Sequence, residues 1–586
     1  MTQTPTYAPP YEVDGNCLYL IGKDKYGQTR KRLCNFAPYI IEQVTKNDGA
    51  DCATWITLGG IHEDGHVLHP ITIRGTELGS FDWLVDRWGA DSFLEVGNQV
   101  KDYVRVAIQR TAKHAKKTTI YTVTGWKQLQ DGWHYLMPGD DAITVELPGK
   151  LAAYHMERNY SYCDIATAGA LLSQLAAPEE VTYTMLAHVF SSPLKHFLKM
   201  AGCEPKFILW LVGKTGSCKS SLSAVMLSFF GHFTGTTLPM SFRDTANSIN
   251  EQAYMIKDAP VVIDDFHPCD HKEQAKMNAT SQNLIRNYGD HAGRARLSAR
   301  CELMAARPPQ GNAIVTAEFP PDIGESGTAR CFTIELNPGD VDLQTLSALQ
   351  TLAADGTLQR CGFAYTEWLR ECFLCDDDSV QRFVKALRAL FEKYRSEFRN
   401  SGMHSHGRVA ENVAWLQMGF HFFLMFLNHH LGYGEAYVAQ MGENFKEILY
   451  RVARRQSDAI NQDKPTHLFL RKFYSMLESG QVYLKNRESL APDEFHPGTC
   501  IGYYDTVRMY FFADLVHKLV RKQCTDQGEN FTISCRSLLK ALAEEGLIET
   551  TNGQNSRPMH FEGKNRRVVV MDKFKAEIIA NGGMEK

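Results

Sequence analysis

The alternation of apolar and polar positions predicts strands and turns through the first 150 residues. Leu18-Tyr19-Leu20-Ile21 and Tyr39-Ile40-Ile41 are short apolar runs. Glu63-Asp64-Gly65-His66 separates Trp55-Ile56-Thr57-Leu58 from His69-Pro70-Ile71-Thr72-Ile73, which is the pattern of a hairpin closed by an Asp-Gly turn. Residues 81–88 and 98–113 carry helical spacing. Thr122-Val123-Thr124-Gly125-Trp126 and Trp133-His134-Tyr135-Leu136 predict a second hairpin. Together these make an α+β accessory domain over 1–150. A helical linker follows over 151–200 and ends in a helical run over 185–200.

The pattern changes at Phe207-Ile208-Leu209-Trp210-Leu211-Val212, a continuous apolar run typical of a buried strand. Gly213-Lys214-Thr215-Gly216-Ser217-Cys218-Lys219-Ser220 comes next, then a helical run over 219–230 stopped by Gly231. Strand, glycine-rich turn and helix are the context of a phosphate-binding loop. Backbone N–H groups in such a turn converge on an anion, and the positive end of the helix dipole reinforces them. Lys219 would reach the β- and γ-phosphates of ATP, and the Ser220 hydroxyl would hold Mg²⁺. Cys218 stands where the motif G-x-x-x-x-G-K-[ST] has its second glycine. A positive φ there would cost about 1–2 kcal/mol relative to glycine.

About 45 residues after Lys219, the apolar strand Pro260-Val261-Val262-Ile263 ends in Asp264-Asp265. This is a Walker B pattern: Asp264 would hold Mg²⁺ and Asp265 would orient and deprotonate the attacking water. A helix over 272–288 precedes an arginine-rich segment, 293–307, expected to be a β-hairpin with its tip near Ala299-Arg300. Pro308-Pro309-Gln310-Gly311 closes it. The next strand, Ala313-Ile314-Val315-Thr316, runs into Ala317-Glu318, so Thr316 or Glu318 would sense the γ-phosphate. Arg330 stands just before the strand Cys331-Phe332-Thr333-Ile334-Glu335-Leu336, where it would enter a neighbouring subunit's ATP site as a finger. The nucleotide-binding core therefore covers 201–340.

A helical domain is expected over 341–490, with its clearest helices at 379–397 and 409–427. The two prolines in 485–499 suggest a linker. In the last segment, 491–586, an amphipathic helix is predicted over 505–522. Thr532-Ile533-Ser534 caps a second over 535–545, and Gly546 ends it. Leu547-Ile548-Glu549 and Arg567-Val568-Val569-Val570 read as paired strands around a polar loop. Helix, capped helix and two-stranded wing are the winged-helix variant of the helix-turn-helix. Arg536, Ser537 and Lys540 would project from its recognition helix, and Lys564, Arg566 and Arg567 would line the wing.

Composition changes this picture little. At 586 residues, 44% hydrophobic and 22% charged, the chain is a multidomain α/β protein able to bury several cores. With a net charge of −4, any nucleic-acid contact must be local. Arg110, Lys113, His114, Lys116 and Lys117 form one such basic run. The 15 cysteines are scattered except for Cys372 and Cys375, as expected of reduced thiols in a cytoplasmic protein. The N-terminus has neither the basic region nor the apolar core of a signal peptide. The most apolar later stretch, 418–427, is far short of the ~20 residues that span a bilayer.

The order of elements resembles the AAA+ ATPases with a hairpin inserted before sensor 1, as in superfamily 3 viral helicases and minichromosome-maintenance helicases. Pro308-Pro309, Ile314-Val315-Thr316, Glu318 and Ala329-Arg330-Cys331-Phe332 carry that likeness. Thr124-Gly125-Trp126 with Gly132-Trp133-His134-Tyr135 extends it to the replication initiator helicases of staphylococcal cassette chromosomes and related bacterial mobile elements. The resemblance implies a homo-hexameric ring on single- and double-stranded DNA, aided by replication partner proteins, whose pore is lined by hairpins. It implies DNA contacts from Arg296 and Arg300. Two departures stand out: Cys218 in the loop, and no Asn at sensor 1. Arg408 is a candidate second sensor. Other readings stay open, namely a nucleotide-switched DNA-binding regulator or loader without unwinding, or a transposition or packaging ATPase.

Overall fold

The computed structural model describes residues 6–581 apart from 141, 173, 292, 294–305, 322, 324, 403–406, 463, 489–495, 528, 530 and 552. The chain divides into two compact units. The first comprises Met1–Pro320, Thr333–Ser396 and Asn412–Leu449; the second comprises Pro321–Phe332, Glu397–Glu411 and Tyr450–Lys586. No helix among the described residues is long and apolar enough to cross a membrane.

The first unit opens with an antiparallel sheet of β1 (Tyr11–Asp14), β2 (Cys17–Asp24) and β3 (Gly27–Cys34). β4 (Phe36–Asn47), β5 (Cys52–His62) and β6 (Val67–Arg74) follow. Next come α1 (Val100–Thr111), β7 (Lys116–Tyr121), the hairpin β8 (Gly125–Leu129) and β9 (Gly132–Leu136), and β10 (Thr144–Val145). A five-stranded sheet runs in the order β10-β7-β4-β5-β6. α1 turns Val104, Ala107 and Ile108 into a core shared with Phe36, Leu58 and Trp88. The expected helix over 81–88 forms over 82–88, with Leu84–Trp88 wound as a π-turn, and the one over 98–113 is trimmed to α1.

The expected second hairpin forms, but it begins at Gly125, because Thr124 is tied elsewhere. The Thr124 hydroxyl donates to the Lys257 carbonyl at 2.8 Å and accepts from its N–H at 2.9 Å. Trp126 N–H donates to Asp258 Oδ2 at 3.0 Å, and the Tyr135 hydroxyl donates to the Asp258 carbonyl at 2.6 Å. Gly125 has φ +89°, and a Cβ there would lie 2.6 Å from the Lys257 oxygen. The Thr-Gly-Trp motif thus fastens the hairpin to the segment just before the strand that begins at Pro260.

Three helices come next: α2 (Tyr162–Ala170), α3 (Glu179–Ser191) and α4 (Lys195–Met200). The helix expected over 185–200 is broken by a 3₁₀ turn, Ser192–Leu194, because Pro193 has no N–H to continue the ladder. The core then runs β11 (Ile208–Val212), α5 (Lys219–Leu227), β12 (Met240–Ser241), α6 (Ala246–Met255), β13 (Pro260–Phe266), α7 (His271–Asp290), β14 (Asn312–Ala317), α8 (Glu325–Thr328) and β15 (Cys331–Glu335). Its sheet has the order β12-β13-β14-β11-β15, and β12, β13, β14 and β11 are parallel. Parallel strands put all their C-terminal ends on one edge, where ligands of open α/β sheets bind. The helical region comprises α9 (Leu343–Ala354), α10 (Thr357–Phe373), α11 (Asp377–Arg399), α12 (Gly407–Leu431) and α13 (Glu435–Gln462). Within the first unit, Phe190 of α3 stacks on Phe423 of α12 with ring centroids 4.2 Å apart.

The second unit contains α14 (Pro465–Glu478), β16 (Val482–Asn486), β17 (Thr499–Tyr504), β18 (Arg508–Phe511), α15 (Ala513–Asp526), α16 (Cys535–Glu544), β19 (Arg557–Phe561), β20 (Lys564–Asp572) and α17 (Lys573–Ala580). Its sheet has the order β16-β17-β18-β20-β19. Three expectations change here. The helix read over 505–522 starts only at Ala513, because Met509 and Phe511 face the helix-covered core while Tyr510 faces the other side of the sheet. That period of two makes a strand. The linker read over 485–499 begins inside β16, which pairs with β17. The long partner of β20 is β19, inside what reads as a polar loop; Ile548 makes a single bridge to Met571. Phe469, Leu470, Phe473 and Met476 of α14 belong to the same core as Leu538 and Leu542 of α16, so this core reaches back before residue 491.

Candidate functional site

The glycine-rich loop leaves β11 at the C-terminal edge of the sheet. Gly213 is forced by packing, since a Cβ there would lie 2.0 Å from the Leu336 carbonyl oxygen. Two residues of the loop take left-handed backbone: Gly216 at φ +87° and Cys218 at φ +62°. Cys218 is the N-cap of α5 and adopts the conformation a second glycine would supply freely.

Lys219 turns back into the loop. Its ammonium donates to the Gly213 carbonyl, to Lys214 O at 3.0 Å and to Ser217 Oγ at 3.4 Å. Burial pulls its pKa down, and Glu318, Asp264 and Asp265 oppose that. The next residue, Ser220, donates its hydroxyl to Asp264 Oδ1, 2.8 Å away.

The two aspartates are separated by a bulge. β13 pairs with β14 in step as far as Ile263↔Val315, and the register then shifts before Phe266↔Ala317. Asp265 sits in that shift at φ +68°. A bulge of this kind re-aims a side chain, here the second carboxylate. Thr316 of β14 joins the pair: its hydroxyl donates to Asp264 Oδ1 at 2.5 Å and accepts from the Asp265 N–H at 3.1 Å. Glu318, just beyond β14, accepts from the Thr215 N–H at 3.1 Å and from the Thr215 hydroxyl. Those bonds, then His267 and Lys219, hold its carboxyl below the usual carboxylate range.

Loop, strand ends and Glu318 enclose a cleft of about 320 Å³. Its donor set, a Ser hydroxyl beside a carboxylate oxygen, suits a hard cation such as Mg²⁺, which prefers oxygen ligands. Two residues in contact with the site carry no sequence motif. Arg243, after β12, pairs with Asp265 at 3.1 Å, and His267 pairs with Glu318 at 2.7 Å. Only their nearness to Asp265, through the neighbouring strand and two residues along the chain, would have pointed to them.

The remaining candidates lie elsewhere. Arg330, in the second unit, donates to the Ser326 carbonyl at 2.9 Å and to its hydroxyl at 2.6 Å. Arg408 stands in the first turn of α12. Arg536 and Lys540 are exposed on α16, whose N-cap Ser534 accepts from the Ser537 N–H. On β20, Arg566 lies over the Phe512 ring at 5.4 Å, and Arg567 donates to Ser556 Oγ at 2.8 Å and Gln554 Oε1 at 2.7 Å. Arg296 and Arg300 fall outside the described residues.

The fold is similar to that of a solved helicase structure. A solved structure titled "SCCmec type IV Cch - active helicase" superimposes with a TM-score of 0.57 at 12% identity, covering 98% of this chain and 99% of that one. Two other solved structures match at TM-scores that establish no shared fold. The C-terminal region of NrS-1 gives 0.26 at 11% identity, over 72% of this chain and 88% of that one. A JCV helicase gives 0.21 at 14% identity, over 44% of this chain and 70% of that one. The family described as "Domain of unknown function (DUF927)" matches residues 91–299. No curated protein matches the chain.

Proposed function

We propose that the protein is an ATP-driven DNA helicase of the AAA+ type, assembled as a ring and serving to initiate replication of a bacterial mobile element. The observation that carries the reading is the meeting of Lys219, Ser220, Asp264, Asp265, Thr316 and Glu318 in one cleft at the strand ends. The full-length likeness in fold to a structure titled an active helicase supports it. Gly213 to Ser220 would act as the phosphate-binding loop. Lys219 would exchange the loop carbonyls for the β- and γ-phosphates. Ser220 and Asp264 would hold Mg²⁺, which neutralises charge developing on the phosphates. Asp265 would accept a proton from the attacking water once Arg243 leaves it. Thr316 orients both aspartates, and Glu318 would give up Thr215 as nucleotide enters. Arg330 of a neighbouring subunit would complete the site. In the second unit α15, α16 and the β19–β20 hairpin would serve as a winged helix, and we assign origin or duplex binding to Arg536, Lys540, Arg566 and Arg567. Arg296 and Arg300 are assigned to the strand in the pore.

Strand displacement on a forked DNA tests this, run beside Lys219→Ala and Arg330→Ala. Both variants should fail alone. Mixed, they should regain unwinding wherever one interface holds an intact loop and an intact finger. Hydrolysis stimulated by DNA with no displacement on any fork would sink the helicase reading in favour of a switch or loader.

A further inference from the structure

The small sheet at the start of the first unit extends into an arm. β2 and β3 stay paired out to Asp24↔Gly27, leaving only Lys25 and Tyr26 to make the turn. The base of this ribbon is rooted, with Leu18, Leu33 and Cys34 buried in the accessory core. Beyond Gly22, every described side chain through Lys31 is exposed, and Tyr26 at the tip is 97% exposed. Residues 23–32 hold Lys23, Lys25, Arg30, Lys31 and Arg32 against the single carboxylate of Asp24, in a chain whose net charge is −4.

Register sorts these cations. Tyr19↔Arg32, Ile21↔Arg30 and Lys23↔Gln28 are opposed pairs, so Lys23, Arg30 and Arg32 share one face. Lys31, opposite Leu20, lies on the other. The two arginines are held in place. Arg30 stacks over the Tyr19 ring at 3.9 Å and pairs with Asp14 at 2.8 Å, while Arg32 pairs with Glu63 at 2.6 Å and Glu95 at 3.2 Å. Lys23, Lys25 and Lys31 make no ion pair with any described residue. The arm is a two-stranded ribbon with its lysines in solvent and an aromatic ring at its end.

We infer that this ribbon is a nucleic-acid contact, with the lysines on phosphates and Tyr26 stacked on an unpaired base. Unpaired lysines on a protruding element are the electrostatic footprint of a polyanion. The ring at the tip selects nucleic acid over an acidic protein surface, because every base offers a face on which to stack. The inference is independent of the ATPase reading and would hold if the cleft hydrolysed nothing.

The test is fluorescence anisotropy of the full chain on a short single-stranded oligothymidine and on a duplex, over a range of salt. A triple variant, Lys23→Glu, Lys25→Glu and Lys31→Glu, should bind single strands roughly tenfold or more weakly, with a salt slope shallower by about 2. Tyr26→Ala should cost about fivefold or more on single strands and little on duplex. Both should keep the melting temperature and the ATPase rate without DNA, since all four side chains are exposed. Unchanged affinity and slope in the triple variant would overturn the proposal. So would an inert Tyr26→Ala together with polyglutamate competing as well as DNA, which would give the arm to an acidic protein instead. A photoreactive benzoylphenylalanine at position 26 reads the contact in the presence of every other DNA site, and labelled DNA that binds without crosslinking there would also overturn it.

Discussion

The cleft at the strand ends and the C-terminal unit carry their charged residues in opposite ways. In the cleft every charge is held: Lys219 by loop carbonyls, Asp264 by two hydroxyls, Asp265 by Arg243, and Glu318 by Thr215 and His267. The backbone there takes costly conformations, with Cys218 and Asp265 both at positive φ. On α16, Arg536 and Lys540 stand in solvent on a regular capped helix, and the nearest partner of Lys540 is Glu544 at 3.6 Å. A group that acts on one atom is fixed in advance, at a cost in strain. A group that attracts a phosphate backbone needs only position and charge.

The largest effect should come from Lys219→Ala. Lys219 is the only Lys or Arg among the described residues that line the cleft, so ATP hydrolysis should fall by on the order of 10²–10³ or more. Steady-state hydrolysis without DNA checks it. A variant within tenfold of the parent would mean that Lys219 does not reach phosphate, and the contrast between the regions would collapse. Thr316→Val comes next. It keeps the shape and removes the one hydroxyl that joins the Asp264 carboxylate to the Asp265 amide. We expect roughly tenfold or more off kcat with a small change in KM, because orientation rather than binding is lost.

Acid should affect both regions, which limits how far the contrast extends. Burial pulls His188 in the first unit down to about 3, where it donates Nε2–H to the Ala313 carbonyl at 3.0 Å. Burial, helped by Lys464 and Arg471, pulls His467 in the second unit down to about 4. Both are neutral when folded and titrate near 6.5 when unfolded. Their contribution to stability is therefore fully present above pH ~6.5. It is lost as pH falls toward the folded values, with a slope approaching about 1.4 kcal/mol per pH unit for buried His188 and less for half-buried His467, which solvent screens. Denaturant titrations at pH 7, 5.5 and 4.5 should show the decline, and His188→Gln should flatten it. Below these effects stands Arg536→Ala with Lys540→Ala. DNA affinity should drop several-fold across all sequences and the salt slope should lose about one unit per phosphate contact, with DNA-free hydrolysis unchanged.

The same contrast explains what could be read from the chain. Long-range order in the core follows from buried runs such as Phe207 to Val212 and Pro260 to Ile263, which admit one strand each between turn signals. The C-terminal unit misled because Arg508 to Phe511 is four residues long, too short for its alternation to stand out from the helix behind it. β19 hides for a similar reason: Pro558 and His560 break up the apolar positions at Met559 and Phe561. In the cleft, the motif residues were legible because spacing along the chain becomes nearness at a parallel sheet's edge. Arg243 and His267 were not, since their roles depend on the bulge at Asp265 and on which strand lies beside β13, and neither is written locally.

The smallest effect, and the most discriminating, is expected of Cys218→Gly. At φ +62° the cysteine pays about 1–2 kcal/mol that glycine would not. Glycine returns roughly 0.5–1 kcal/mol of that as entropy of the unfolded chain, so the net gain in stability should lie between about 0 and 1.5 kcal/mol. The loop already has the shape that glycine would hold, so ATP hydrolysis should stay within about twofold of the parent. Cys218→Val separates shape from chemistry. A β-branched side chain at positive φ should destabilise the protein and weaken nucleotide binding together, whereas a requirement for the thiol itself would leave glycine and valine equally impaired. If Cys218→Gly lost activity while its melting temperature rose, the sulfur would have a role at the phosphates, and strain in the cleft would be the by-product of a chemical need rather than of loop geometry.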